Sequence, residues 1–330
     1  MSRSLNMGGS ILKNSKTMIK KIKLAVIFGG PSGEHTISLR SAREVIEHLD
    51  KQKYAILPIK ISRAGKWNRS ILQNKIDLAM IVGHGTFMED GCLQAILESY
   101  QITYLFSDVL ASALAMNKFK TKIVAKNTGL NIAKGLLIKH GEKINYSKII
   151  RHLKFPIVIK PNELGSSVGA NITKNKGEFI TGLKEAFRWG KQVLLEEFIA
   201  GRELTVAIMG RNKLSILPVV EIKPRISAWF DYKAKYRKDG SEEICPAQIP
   251  PNITRKIQSH AKKIFEAIGC RDLARADFIW NKKNNLLYFL EINTIPGMTK
   301  TSIAPCAARV AGFELKDFLD ILIKNGLEEN

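Results

Sequence analysis

Paired cysteines, membrane-length apolar runs and early acidic residues are all missing from this 330-residue chain. The four cysteines, Cys92, Cys245, Cys270 and Cys306, lie far apart with no CxxC spacing. That argues against a disulfide framework or a thiolate metal site and points to reduced thiols in a cytoplasmic protein. No apolar stretch approaches the about 20 residues that span a bilayer, so no membrane partner is expected. There is no GxGxxG and no GxxxxGK[ST], which excludes a dinucleotide fingerprint and a Walker-type phosphate loop. No zinc-finger spacing or RNP-like aromatic motif accompanies the formal charge of +22. The lysines are spread along the whole chain, so a diffuse basic surface attracting anionic small molecules is preferred to a nucleic-acid interface.

No acid precedes Glu34, and the segment before it is basic with several serines and one arginine, Arg3. A transit peptide would carry more arginine, and Leu24–Phe28 is short for a signal-peptide core. The expectation is a disordered leader over residues 1–21, or a true start at Met18. The remainder, in a chain that is 45% hydrophobic, is long enough for two or three domains.

The stretch that organises the rest is Arg275–Met298, RADFIWNKKNNLLYFLEINTIPGM. Its polar middle, Asn281–Asn285, separates two strand-forming runs and predicts an antiparallel hairpin. With the turn near Lys283–Asn284, Asp277 lies opposite Glu291, and Asn293 and Arg275 share their face. The other face, Ala276, Phe278, Trp280, Tyr288, Leu290 and Ile292, is apolar throughout and reads as core. Opposed carboxylates about 5 Å apart repel by roughly 1–3 kcal/mol and destabilise a sheet. Either Arg275 neutralises them, or one acid stays protonated, or a hard divalent cation sits among Asp277, Glu291 and the Asn293 side-chain oxygen. The cation is the preferred reading, because oxygen ligation by few protein groups suits Mg²⁺ completed by phosphate oxygens.

Earlier in the chain, Lys23–Phe28 is a short apolar strand running into Gly29–His35 (GGPSGEH), with a helix predicted from near Ser38. Strand, glycine turn and helix make an α/β opening that either binds a ligand or is only structural. Glu34 would repel a phosphate there, so an ammonium fits better. Strands are predicted at 54–59, 77–82 and 102–106. His84, between two glycines after the second of these, sits where open α/β sheets bind ligands, although a lone histidine can equally be structural. One long helix is predicted from Asp108 to Gly129.

Phe155–Lys160 predicts a strand, followed by the small-residue loop Pro161–Gly169. Its backbone N–H groups can cover phosphates with Lys160 beside them, unless it is an ordinary loop. In the strand at 192–199, Glu196 is either a solvated edge residue or one that addresses a nucleotide's polar groups. Glu203–Met209 and Lys213–Val220 form a hairpin across Gly210–Asn212. Residues 223–240 mix basic side chains with Trp229, Phe230, Tyr232 and Tyr236, which reads as a closing lid rather than a strip for single-stranded nucleic acid. A helix is predicted over 254–268, ending at Gly269.

GGPSGEHTISL, GHG…EDG, VIKPNELGSSVG, LLEEFIAGRE, DYKAKY, RADF and LEINTIPGMTKTS occur together in this order. The sequence thereby resembles the D-alanine–D-alanine ligases of the ATP-grasp superfamily over about residues 22–325. The resemblance implies an α/β protein of three-domain ATP-grasp architecture. An N-terminal open parallel sheet (22–106) would precede a central (107–199) and a C-terminal (200–330) α+β domain clamping ATP. It implies ATP-driven joining of two D-alanines through a D-alanyl phosphate, for peptidoglycan precursors in the bacterial cytoplasm, by a homodimer.

By the same resemblance, Glu34 would hold the first D-alanine's ammonium and His84 would lie near its carboxylate. Ser166 and Tyr236 would hydrogen-bond towards Glu34. Lys118, Lys160 and Lys235 would contact phosphates, and Glu196 and Glu203 adenine and ribose. Asp277, Glu291 and Asn293 would bind two Mg²⁺ (or Mn²⁺) ions. Arg275 and the Gly297 N–H would stabilise an oxyanion, and Ser302 would take the second substrate's carboxylate. Phe230 departs from the tyrosine that many relatives carry in the lid. The rival readings are a basic nucleic-acid-binding protein on an inactive scaffold, and a ligase that uses D-lactate or D-serine as second substrate.

Overall fold

The computed structural model describes residues 20–225 and 240–328. All but the last two residues of the expected leader, and most of the expected lid, including Lys235, Tyr236 and Phe230, lie outside those residues. The first unit contains β1 (Ile22–Gly29), α1 (His35–His48), β2 (Tyr54–Ile61), β3 (Leu78–Gly83) and α2 (Cys92–Ser99). Its sheet runs β2-β1-β3 and is entirely parallel. Leu24, Ala25, Val26 and Ile27 are fully buried, as an interior parallel strand requires, and each large side chain contributes about 1.5–3 kcal/mol. Gly29 has φ +94, and a Cβ there would stand 2.2 Å from the Ile61 carbonyl oxygen. Only glycine fits that turn.

Helix α1 starts three residues before the expected Ser38. Ser38 resembles an N-cap but is fully buried. Its hydroxyl accepts from the Gly29 N–H at 2.7 Å and donates to the Val82 carbonyl. Ser38 therefore ties two strands to the helix, and the N-cap position falls to Glu34. The strand expected at 102–106 is reduced to one parallel bridge, Ala79 to Tyr104.

The single helix expected over 108–129 is two helices, α3 (Val109–Met116) and α4 (Lys118–Asn127). Asn117 divides them: its backbone is extended and its side chain accepts from the Lys120 N–H at 3.0 Å. An N-cap inside an apolar run restarts the helix at a new angle. Gly129, at φ +81, closes α4 as expected.

Then come β4 (Asn131–Ile132), β5 (Gly135–Lys139), α5 (Tyr146–Leu153), β6 (Ile157–Pro161), β7 (Asn171–Thr173), α6 (Lys176–Trp189) and β8 (Gln192–Glu197). The antiparallel sheet β5-β8-β6-β7 packs Ile157, Ile159 and Leu195 against Phe179 and Leu183 of α6.

The last elements are β9 (Arg202–Gly210), β10 (Ser215–Ile216), β11 (Val220–Pro224), β12 (Ser241–Ile244), α7 (Pro251–Ile268), β13 (Asp272–Asn281), β14 (Leu286–Asn293), α8 (Ile303–Val310) and α9 (Leu315–Leu327). The third sheet has the order β12-β11-β9-β13-β14-β4, with β10 on β9. The expected hairpin arm at 213–220 is thus divided between β10 and β11. One face of this sheet packs on α7, α3 and α4. The other shares a continuous core with the first unit through Met209, Leu273 and helices α8 and α9. A buried ion pair pins this junction: Asp272 accepts from Arg211 at 2.5 and 3.0 Å and from the Phe106 N–H at 2.6 Å.

Candidate active site

The β13–β14 hairpin sets Asp277 directly opposite Glu291 and Arg275 opposite Asn293, as expected. The apolar face differs from the expectation. A bulge falls between Asp277 and Phe278, so Phe278 pairs with Phe289 and Trp280 with Leu287. Phe289 and Leu287 enter the core in place of Leu290 and Tyr288, and Leu290 turns to the cleft beside Glu291. Strict alternation misplaces side chains beyond a bulge, and bulges commonly re-aim residues beside sites.

Arg275 grips Asp277 with two hydrogen bonds of 2.9 and 2.8 Å, and Thr205 donates to the same carboxylate at 2.5 Å. Burial works against the Arg275 charge, but Asp277 raises its pKa well above the ordinary value. Lys118 approaches Glu291 to 3.3 Å. Each acid therefore has a protein cation beside it. Glu291 keeps a side chain 35% exposed, and the Asn293 oxygen accepts from the Ile295 N–H at 2.9 Å.

Among the described residues, no three His, Cys, Asp or Glu side chains gather in metal-binding range. The facing Asp277 and Glu291 carboxylates, with one amide oxygen on the next rung, remain a set of hard oxygen donors that fits Mg²⁺ supplemented by phosphate or water.

Lys118, Lys160, Glu196, Glu203, Asp277 and Glu291 line a single cleft between the second and third sheets. Glu34, His84, Asn293, Gly297 and Ser302 are not on its wall. The loop after β6 joins the two groups. Ser166 donates to the Glu34 carboxylate, while the Leu164 carbonyl accepts from Lys118 Nζ at 2.7 Å. Asn162 and Glu163 anchor the loop's start on α4, through the Phe119 N–H and the Asn117 amide. Ser166 and Ser167 both adopt positive φ, a backbone conformation that residues other than glycine rarely take. Glu34 is 9% exposed and His84 4%. His84 Nδ1 lies 4.0 Å from Glu89, whose carboxylate also accepts from the Gly85 N–H at 2.5 Å.

Glu196 is not a solvated edge residue. At 2% exposed it lies between Lys122, 2.7 Å from one oxygen, and Lys160, 2.5 Å from the other. Burial disfavours its charge, yet the two lysines outweigh that and hold its pKa below the ordinary glutamate range. Burial drives Lys122 below the ordinary lysine range against the pull of Glu196. For Lys160 the acid prevails over burial, and the pKa rises. Sequence reading missed Lys122. Within KFKTK it looks like part of a solvated basic face, and only its spacing of four from Lys118 places it on the same helix side.

Beyond the hairpin, Gly297 and Ser302 stand against each other: a Cβ at Gly297 would lie 2.7 Å from Ser302 Oγ. Ser302 occupies the N-cap position of α8, but its hydroxyl engages Thr299, accepting from that N–H at 3.2 Å. Lys300 N–H donates to Glu44 of α1 at 2.6 Å, which fastens this loop to the first unit.

A parallel-sheet unit, two further sheets and a lysine- and carboxylate-lined cleft between them define an ATP-grasp fold. Family profiles described as "D-ala D-ala ligase N-terminus" and "D-ala D-ala ligase C-terminus" match residues 23–75 and 124–324. A D-alanine–D-alanine ligase of Syntrophobacter fumaroxidans is 38% identical over 312 residues, covering 94% of this chain and 99% of that protein. The VanG D-Ala:D-Ser ligase of Enterococcus faecalis superposes with a TM-score of 0.84 at 32% identity, over 93% of this chain and all of that one. The Bacillus anthracis D-alanine–D-alanine ligase complexed with ATP does so with 0.79 at 30%, over 93% and 98%. The chain belongs to the D-alanine–D-alanine ligase family.

Proposed function

We propose that this protein joins two D-alanines to D-alanyl-D-alanine with ATP, through a D-alanyl phosphate, for peptidoglycan precursors. The observation that carries the reading is the loop after β6, which binds Glu34 through Ser166 at one end and Lys118 through Leu164 at the other. An amino-acid site and a triphosphate site are thereby joined by one loop, as phosphoryl transfer by positioning requires.

In this reading Glu34 takes the first D-alanine's ammonium and His84 faces its carboxylate. Lys118, Lys160 and Lys235 neutralise phosphates, while Glu196 and Glu203 meet adenine and ribose. Asp277, Glu291 and Asn293 would hold two Mg²⁺ (or Mn²⁺), which neutralise charge developing on the transferred phosphate. A D-alanine carboxylate oxygen bonds the γ-phosphorus as the bond to ADP breaks. The second D-alanine, its carboxylate on Ser302, then attacks the acyl carbon through its free amine. Arg275 and the Gly297 N–H hold the oxyanion until phosphate leaves, and the new amide nitrogen gives its extra proton to the departing phosphate or to water. Tyr236 closes over Glu34 beside Ser166. A homodimer in the cytoplasm belongs to the same reading; among the described residues no helix is long and apolar enough to cross a membrane.

The likeness to a D-Ala:D-Ser ligase supports a second reading, in which D-serine is the nucleophile. Phosphate release from ATP with and without D-alanine tests the activity. Mass spectrometry of products from equal D-alanine, D-serine and D-lactate tests the second substrate. D-alanyl-D-alanine is expected to dominate, and a D-alanyl-D-serine majority would transfer the assignment to the second reading.

A further inference from the structure

Lys122 has no part in the reaction described above, yet its ammonium is one of the most deeply buried charges beside the cleft. Its side chain is 4% exposed, against 15% for Lys160. It donates to the Phe289 carbonyl at 3.2 Å from one side and faces Glu196 Oε1 at 2.7 Å on the other. Lys160 takes the opposite oxygen, Oε2, at 2.5 Å. Two cations thus share one anion, one oxygen each. Of the two, only Lys160 lines the cleft. The cleft-facing ammonium is therefore the one a triphosphate would draw away from Glu196. That transfer removes one partner from a buried carboxylate, which is tolerable only if another cation remains.

We propose that Lys122 is a positioning residue that keeps Glu196 neutralised when Lys160 moves onto the nucleotide's phosphates. The inference rests on the nucleotide site of the proposed function. Lys122 touches no substrate: the Phe289 carbonyl and helix α4 fix its place, and it acts through Glu196. Its removal leaves Lys160 as the sole cation on Glu196, and the nucleotide then has to compete for it. The loss should therefore appear in ATP binding rather than in turnover at saturating ATP.

The test is a double-mutant cycle on the full chain, with KM for ATP and kcat measured at saturating D-alanine, and Tm alongside. Lys122→Met is expected to raise KM for ATP at least tenfold and to change kcat less than threefold. In a Glu196→Gln background, where no carboxylate needs holding, the same substitution should change KM less than twofold. Should Lys122→Met fail to fold, Lys122→Gln, which keeps a donor for the Phe289 carbonyl, carries the same comparison. An equal rise in KM in both backgrounds, or a fall in kcat with KM unmoved, overturns the proposal. Wild-type protein without ATP-dependent product would instead overturn the reading of the site itself.

Discussion

Two clusters of charge face the same cleft and resolve their electrostatics in opposite ways. At the hairpin end, two carboxylates meet Arg275 and Lys118, and the Glu291 side chain is 35% exposed. In the Lys122–Glu196–Lys160 cluster a carboxylate 3% exposed is shared by two lysines. The first can exchange a protein cation for a metal ion at small desolvation cost, because the Glu291 side chain is already about a third exposed. The second cannot release its anion without leaving it buried and bare, so only its cleft-facing lysine is free to move. Exposure, more than the number of charges, separates a site that recruits a cation from one that already contains its own.

The largest expected effect breaks the first cluster. Glu291→Gln removes a charge from the proposed metal site while leaving Arg275 with Asp277, so the protein should stay folded. Turnover should fall by about 10³-fold, as when a principal electrostatic stabiliser is lost. Phosphate release across a range of Mg²⁺, with circular dichroism as a control for folding, checks it. Near-normal activity at ordinary Mg²⁺ would mean that Lys118 and Arg275 alone serve these acids. Asp277→Asn is the less clean variant, because it strands the buried Arg275.

The first cluster was legible in the sequence because both acids come from one hairpin: the turn at Asn281–Asn285 brings Asp277 within one residue of Glu291, and the bulge after Asp277 completes the pairing. The second was not, since Lys122, Lys160 and Glu196 come from a helix and two strands whose meeting no local period encodes. The misreadings share that origin. Ser38 looks like a cap until β3 supplies the Val82 carbonyl it binds. Asn117 divides a helix because its loop partner Glu163, far along the chain, holds its amide. The strands at 22–29 and 78–83 were readable because parallel strands buried on both faces are plain apolar runs.

The next effect breaks the second cluster. Glu196→Gln leaves two lysines at a neutral amide and should cost about 3 kcal/mol of stability, read as a lowered midpoint in urea. The pH dependence adds a signature. Glu196 titrates below its ordinary value near 4.5 in the folded protein, so its contribution is complete above that value and fades as pH falls through the folded pKa. The stability gap between wild type and Glu196→Gln should narrow on acidification. A gap that widened would mean burial outweighs the two lysines.

A smaller effect tests the loop that joins the hairpin cluster to Glu34. Ser166→Ala removes the hydroxyl that donates to Glu34 while Lys118 still holds the Leu164 carbonyl. A hydrogen bond to a charged group contributes about 1.5–3 kcal/mol, so kcat/KM for D-alanine should drop roughly tenfold with KM for ATP little changed. Equal losses for both substrates would show that the loop moves as one body and that its Glu34 and Lys118 ends are not independent.

The smallest effect concerns a base with no acid to hold it, and so sharpens what Glu196 does for its lysines. His260, on α7, packs on Phe278 behind the hairpin, with ring centroids 6.4 Å apart. Burial first, then Lys256 and Lys263, lower its pKa from the ordinary 6.5. A histidine whose folded pKa is depressed stabilises fully above its unfolded value, and that contribution is lost as pH falls through the folded one. Wild type should therefore lose stability as the pH falls below about 6.5 more steeply than His260→Gln, which has nothing to protonate. Partial exposure and screening keep the difference below about 1 kcal/mol, measurable as diverging Tm curves in matched buffers. Parallel curves would show that water reaches the ring, and that an acidic partner is not what separates this site from the two lysines on Glu196.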